Sequence, residues 1–346
     1  MGDPSTGTAP VATPTTDSQE HAGDTYEVPA YEAHSSFTAL KERIRHHYEL
    51  ASDYYYSLWG QHIHHAYFQS ENDTKEAGQV NLINLLLSIS QLSPNSTVLD
   101  VGCGIGGTTR HLARELGCTV TGITISGRQV AIANRITLEE ANSGGIAATA
   151  NANANADQID TASFHTLGTL GGRVKYMELD AETMEAHFSA SSFDAVWISE
   201  ALSHFPDKAL FFRNASRVLK PGGGGKLVIA DWFKAEEDEL KGVVGGDDDI
   251  KLIEDGMLLP PLNTSSQYVS MAETAGLKVL HPPKDISKDV ARTWDISWQL
   301  VSSPSLWAFA ISQGRDGLAF LQAFRAMRRG YANGAFRYAV MAFEKA

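Results

Sequence analysis

The sequence predicts an α/β fold, in which a doubly wound parallel sheet carries helices on both faces. Short apolar segments typical of buried strands alternate with segments of helical periodicity. A glycine-rich turn, Gly102–Gly107, follows the first of these strands and begins a helix. Residues 334–345 alternate between apolar and polar side chains, which indicates a closing strand added after a helical insertion. Together these observations predict a seven-stranded sheet with a helical cap.

The individual elements follow in chain order. A helix is predicted over 108–116, and Ser126 is a suitable N-cap for a second helix that runs to Asn142. The predicted strands are 97–101, 119–125, 173–179, 193–198 and 225–230, with a sixth around Val279 and the last over 334–345.

Two segments lack a pattern that could build a core. Residues 1–34 are rich in Pro, Thr, Ser, Ala and Gly and are predicted to be a disordered tail. Residues 143–172 contain an alternating Ala-Asn run with no apolar face, which indicates a surface-loop insertion. The rest, 35–346, forms one domain, divided into N-terminal lid helices (35–95), a ligand-binding core (96–232), a mostly helical cap containing strand six (233–330) and the final strand (331–346).

The composition narrows the classes of function. The chain has 41 acidic and 28 basic residues, for a net charge of -13. This negative charge disfavours nucleic acid and anionic membranes as partners. Two cysteines cannot build a disulfide scaffold and fit a reducing compartment. Neither a signal peptide nor a spanning segment is recognisable, so a cytoplasmic protein is expected. A monomer and a homodimer are both compatible with the sequence.

The glycine turn predicts a nucleotide-type ligand. Glycine lets the backbone approach a ligand closely, and N–H groups at a helix start face it. Gly102, Gly104 and Gly107 also match the dinucleotide pattern G-x-G-x-x-G, which is weak alone. A dinucleotide site expects an acid at the end of the second strand, where this chain has Thr124. Asp100, at the end of the first strand, can instead hold an ammonium group, which argues against a nicotinamide-dependent oxidoreductase.

The segment Val98–Gly107, VLDVGCGIGG, resembles motif I of class I S-adenosylmethionine-dependent methyltransferases. Over about 36–346 the chain is similar to the tocopherol C-methyltransferase-like group, which is related to cyclopropane-fatty-acid synthases. Further anchors of the resemblance are 47–68, 122–129, 180–208 and 257–261. The resemblance implies a Rossmann-like fold, S-adenosyl-L-methionine as cofactor and methyl transfer to an O, N or C atom of a small molecule of secondary metabolism. A cyclising or cyclopropanating enzyme and a non-catalytic binder of the same fold remain alternatives.

Carried over by position, the resemblance also implies a cofactor site. Asp100 and the backbone around Gly102, Gly104 and Gly106 would hold the methionine part. The residues expected around the ribose and adenine are Thr124, Ser126, Gln129, Asp180 and Ala181, with Ser199 at the end of strand four. Tyr48 and Tyr55 would lie on a lid over the sulfonium, a favourable place for aromatic rings.

Methyl transfer is a displacement, so the protein must align the nucleophile, the methyl group and the leaving sulfur. A hydroxyl or carbon nucleophile also needs a base. His204 follows strand four and Asp231 ends strand five, and a resemblance to sugar O-methyltransferases implies that they act as base and partner. For Glu200, a substrate-amine anchor and a structural hydrogen-bond partner are both open.

The remaining motifs concern metal binding and the kind of acceptor molecule. His62, His64 and His65 lack the spacing of a zinc site, so no metal is expected. The aromatic residues of the cap suit an apolar, polycyclic or prenylated acceptor, although some of them must pack the cap onto the core.

Overall fold

A single eight-stranded sheet organises the chain, with strand order β3-β4-β2-β1-β5-β6-β8-β7. The computed structural model describes residues 40–45, 48–49, 52, 56, 59–143, 163–301 and 314–346, without the side chains of 299–301 and 314–318. The predicted disordered tail, Tyr55 and the Ala-Asn run lie outside these residues. The strands are β1 (Thr97–Val101), β2 (Thr119–Thr124), β3 (His165–Leu167), β4 (Gly172–Glu178), β5 (Ala195–Ser199), β6 (Lys226–Lys234), β7 (Leu277–Asp285) and β8 (Phe336–Lys345).

The doubly wound α/β fold is confirmed, with two corrections to the strands. The predicted loop insertion contains β3, a three-residue strand that pairs antiparallel with β4 at the edge of the sheet. A strand this short has no readable periodicity, so seven strands were expected where eight occur. The second correction concerns β6, which continues past Asp231 to Lys234 because β8 pairs antiparallel with it along its whole length. Asp231 therefore lies within a strand and does not end one.

Helices cover both faces of the sheet and build the cap. In the described ranges they are α1 (Lys75–Ser90), α2 (Gly107–Leu116), α3 (Gly127–Ser143), α4 (Met184–His187), α5 (Lys208–Val218), α6 (Glu237–Leu240), α7 (Gly246–Gly256), α8 (Ser265–Thr274), α9 (Ser287–Val290), α10 (Arg292–Val301) and α11 (Gly314–Asn333). Ser126 caps α3 as predicted, since the Gln129 N–H donates to its hydroxyl at 3.2 Å. None of the helices in the described ranges combines the length and apolarity needed to cross a membrane.

The sheet separates two hydrophobic cores. Alternate residues of each strand face opposite sides, so Val98 packs with α1 and α2 while Leu99 packs with α5 and α8. The cap belongs to the first core, where Trp294 and Phe324 are buried with ring centroids 5.4 Å apart. Both rings pack in the same core as residues of the sheet, so part of the aromatic content of the cap packs the cap onto the sheet, as expected.

Candidate active site

An open cavity lies beyond the carboxyl ends of the parallel strands, where ligands bind in doubly wound sheets. Together with the open solvent at its mouth, it has a volume of about 840 Å³. Its walls come from the turns after β1, β2, β4 and β5 and from the N-terminal segment. The predicted site residues that line it are Tyr48, Gly102, Gly104, Thr124, Gln129, Asp180, Ala181, Ser199 and His204.

The turn after β1 forms the floor of the cavity. Gly102 has φ +71°, a left-handed conformation that glycine adopts without strain. A Cβ atom at Gly102 would lie 2.3 Å from the Cβ of Ala201, so the turns after β1 and β5 touch at this point. Gly106 was predicted to cradle the ligand, but a Cβ there would meet the ring of Tyr176 at 2.6 Å. Gly106 thus serves the packing of the turn against β4.

Two further residues of the predicted cofactor site are buried behind its wall. Asp100 is 3% exposed and accepts a hydrogen bond of 2.6 Å from the Thr109 hydroxyl, which ties β1 to α2. Burial raises the pKa of Asp100 to about 6. Ser126 is fully buried, and its hydroxyl donates to Glu49 at 2.7 Å. Neither residue lines the cavity, and their hydrogen bonds to Thr109 and Glu49 support its wall.

The N-terminal segment covers the part of the cavity that Asp180 and Glu182 line. The Lys41 ammonium contacts Asp180 at 2.8 Å and also pairs with Glu182. Glu49 accepts the Ser126 hydroxyl and, at 3.0 Å, the Arg128 N–H. The N-terminal segment thus binds Asp180 and Ser126, two of the residues predicted to serve the adenosine.

Tyr48 stands on the same segment, at the opposite end of the cavity. Its ring meets that of His204 edge to face, with centroids 6.2 Å apart. Burial raises the pKa of Tyr48 to about 12, so its hydroxyl stays protonated at neutral pH. The predicted lid residue and the predicted base therefore lie side by side.

His204 and Asp231 are joined through the main chain. His204 lines the cavity, and its ring centroid is 6.1 Å from that of Trp232. The carboxylate of Asp231 accepts the Ser203 N–H at 2.7 Å and the Trp232 N–H at 2.8 Å. Asp231 therefore positions the turn Leu202–His204, which carries the imidazole.

Replacing Asp231 with Asn is expected to change how stability depends on pH. Burial raises the pKa of Asp231 to about 7, so the folded protein binds this proton more tightly than the unfolded chain does. The stability of the wild type therefore falls as pH rises through 7, whereas Asn cannot ionise. Between pH 6 and pH 8 we expect the wild type to lose about 1 kcal/mol relative to D231N. Urea unfolding of both proteins at the two pH values measures this; a constant difference contradicts it.

A third polar group, Glu200, lines the same cavity as His204; the sequence left open whether it anchors a substrate amine or serves as a structural hydrogen-bond partner. Glu200 follows β5 with φ +55°. Its carboxylate accepts the main-chain N–H of His65, bonds the His65 Nδ1 at 2.9 Å and accepts the Tyr338 hydroxyl at 2.8 Å. Burial acts to raise the pKa of Glu200, but charge and hydrogen bonds from His65 outweigh it, and the pKa lies below its usual range. The carboxylate is therefore ionised at neutral pH.

The ring of His65 is bonded to Glu200 and buried among aromatic side chains. The ring is 3% exposed, and its centroid lies 4.9 Å from Trp294 and 4.8 Å from Tyr338. An ionised Glu200 assigns the proton to Nδ1. A carboxylate-bound imidazole, the arrangement predicted for His204 and Asp231, is recorded at His65 and Glu200. Within the described ranges, no three His, Cys, Asp or Glu residues are arranged to bind a metal.

Comparisons with known proteins agree with this geometry. The family model "Mycolic acid cyclopropane synthetase" matches residues 35–161, and "Methyltransferase domain" matches 99–225. The chain is 27% identical to the probable chloroplastic tocopherol O-methyltransferase of Oryza sativa subsp. japonica, over 88% of this chain and 78% of that protein. It is 34% identical to the 2-methyl-6-phytyl-1,4-hydroquinone methyltransferase of Synechocystis sp., over 53% of this chain but only 48% of that protein.

A solved structure reproduces the fold. The cyclopropane synthase MmaA2 from Mycobacterium tuberculosis superposes with a TM-score of 0.67 at 19% identity, covering 88% of this chain and 98% of that one. The two family models together span 35–225, more than half of the chain, and include the glycine turn and the turn after β5. With the glycine turn, the threonine at the end of β2 and the reversed last strand, these matches lead to one assignment: the chain belongs to the class I S-adenosylmethionine-dependent methyltransferases.

Proposed function

We propose that this enzyme methylates an O, N or C atom of an apolar small molecule in secondary metabolite biosynthesis. The observation that carries the proposal is the position of His204, an imidazole on the wall of the same cavity as the Gly102 turn. We further propose a cytoplasmic location, supported by the two buried free thiols Cys103 and Cys118.

The residues of the cavity fit the cofactor. A Cβ atom at Gly102 would collide with Ala201, whereas one at Gly104 would meet nothing within 4 Å, so Gly104 leaves the main chain of the turn open to a ligand. Gly102 and Gly104 would bind the methionine part, while Thr124 and Asp180 would bind the adenosine. When bound, S-adenosylmethionine supplies an electrophilic methyl group on a sulfonium.

Around that methyl group, the chain supplies a cover and a base. Tyr48 closes the cavity over it and excludes water, which would compete as a nucleophile. The imidazole of His204 then receives the proton that a hydroxyl or carbon acceptor loses on methylation. Asp231 keeps the imidazole in place through the Ser203 N–H.

An apolar acceptor is supported by the wall on the lid side. Ile44, Ile63, Phe205 and Pro206 line the cavity there and offer no charge. The named relatives point to the same chemistry, since their names specify tocopherol and a phytyl hydroquinone as substrates. A cyclopropanating activity is the second candidate, supported by the family model over 35–161, which is named for cyclopropane synthetase.

Methyl donor labelled at the methyl group tests the proposal. The purified enzyme is incubated with it and with prenylated hydroquinones, phenols, amines and unsaturated lipids, and products are resolved by mass. We expect label in an apolar product that has gained one methyl group at an oxygen, nitrogen or aromatic carbon. Label in a cyclopropane ring supports the second candidate, and no label in any organic extract contradicts both.

A further inference from the structure

We propose that Glu200 is the residue by which the site distinguishes S-adenosylmethionine from its product, S-adenosylhomocysteine. The two ligands share the adenosine and the amino acid group. They differ in charge at sulfur, because the methyl donor is a sulfonium cation and the product is a neutral thioether. A residue that discriminates between them must therefore sense positive charge at the sulfur.

The backbone geometry places Glu200 near this atom. Strands β1 and β5 are adjacent and parallel, and the turns that follow them meet where Gly102 faces Ala201. Glu200 is the neighbour of Ala201 and lines the same cavity as Gly102 and Gly104. Its charge also raises the pKa of Tyr48, after the larger effect of burial, so the carboxylate lies close to the lid tyrosine. Glu200 thus stands between the methionine end of the cavity and the lid.

The charge of Glu200 is only partly compensated. In the part of the chain that the structure describes, its recorded partners are His65 and Tyr338, and neither is a permanent cation. Oε1 accepts two hydrogen bonds, but Oε2 accepts only one and keeps a free lone pair. A buried carboxylate is costly unless a cation or further hydrogen bonds offset the lost hydration. His65 offsets this cost in the free protein, and the ionised carboxylate stays on the cavity wall, where a ligand cation can approach it.

The lysines recorded beside the cavity are engaged elsewhere. Lys41 pairs with Asp180 and Glu182 at the adenosine end. Lys208 is buried and donates to the main-chain oxygen of Phe205 at 3.0 Å. Both ligands carry an ammonium group and only the methyl donor carries a sulfonium, so attraction of Glu200 to the sulfonium is what would discriminate between them.

This arrangement has a consequence for turnover. Methyl transfer breaks the bond between sulfur and the methyl carbon, and the electron pair of that bond stays on sulfur. The sulfonium becomes a neutral thioether, and the attraction to Glu200 is lost at that moment. The site therefore weakens its hold on the spent cofactor relative to the fresh one. This inference rests on use of the cofactor and not on the acceptor proposed above.

Calorimetry on the whole protein, without any acceptor, tests the inference. In Glu200→Gln the affinity for S-adenosylmethionine is expected to fall roughly tenfold, as for loss of a charge partner in a partly buried site. The affinity for S-adenosylhomocysteine should stay within about twofold, because no charge at sulfur is involved. Sinefungin, which carries an ammonium in place of the methylated sulfur, should follow the methyl donor.

Glu182→Gln is the matched control, since Glu182 lines the same cavity at its adenosine end. It should leave the ratio of the two affinities unchanged. Equal losses for both ligands in Glu200→Gln would overturn the inference, because they indicate a contact with the shared ammonium or a folding role. If that variant does not fold, Tyr338→Phe decides: without the hydroxyl that donates to Glu200, the carboxylate keeps more of its charge for a ligand, so the ratio must shift in favour of the methyl donor. An unchanged ratio there overturns the inference too.

Discussion

Gly102→Ala is expected to abolish tight cofactor binding and to destabilise the fold. The added methyl group must be held at φ +71°, which costs about 1 kcal/mol for a residue other than glycine. It would also lie 2.3 Å from the Cβ of Ala201, so one of the two turns that form the cavity must move. Because Glu200 adjoins Ala201, the displacement reaches the polar wall as well. We expect the affinity for S-adenosylmethionine to fall by about a hundredfold or more, as when binding groups are misplaced by 1 Å.

A variant at a second glycine separates the effect of backbone strain from the effect of the steric clash. Gly276 has φ +82°, is exposed and has nothing within 4 Å of an added Cβ. Gly276→Ala should therefore lose only about 1 kcal/mol of stability and keep its cofactor affinity. Calorimetry and thermal melting of the two variants make the comparison. If Gly102→Ala binds the cofactor as well as Gly276→Ala does, the contact between the turns does not shape the site.

The parts of the fold that were predictable are encoded locally. The segment Thr97–Val101, the glycine turn and the alternation before the C-terminus each carry their signal within a dozen residues. The cap at Ser126 is readable for the same reason, since its partner Gln129 is three residues away. Burial on both faces of the sheet then follows from the parallel order of the strands.

The parts that escaped prediction depend on pairs distant in sequence. Lys41 meets Asp180 across 139 residues, and Tyr338 meets Glu200 across 138. Such pairs leave no spacing pattern in the sequence, because only the topology of the folded chain brings the two residues together. A weak signal existed for His65: three histidines stand within four residues at the start of the domain, and the same segment enters the resemblance to methyltransferases.

The prediction for His204 and Asp231 rested on their shared place at the carboxyl-end edge of the sheet. Both residues do lie toward the carboxyl ends of neighbouring strands, as their positions imply. The structure adds that β6 continues past Asp231, which buries its carboxylate against two main-chain N–H groups. A direct contact between a buried carboxylate and an imidazole is recorded for Glu200 and His65. His204 lines the cavity, so its proposed role as a base depends on this position and not on a contact with Asp231.

His204→Ala is expected to lower turnover on a hydroxyl or carbon acceptor by about a hundredfold to ten-thousandfold, the usual contribution of a positioned general base. The affinity for S-adenosylmethionine should change by less than about threefold, because the glycine turn and Asp180 are untouched. Single-turnover rates with the acceptor found by the labelling screen, measured across pH, separate chemistry from binding. His187→Ala, on the exposed short helix α4, is the matched control and should retain full activity. Full turnover in that variant would show that the acceptor is methylated without a base at this position, as a neutral amine can be.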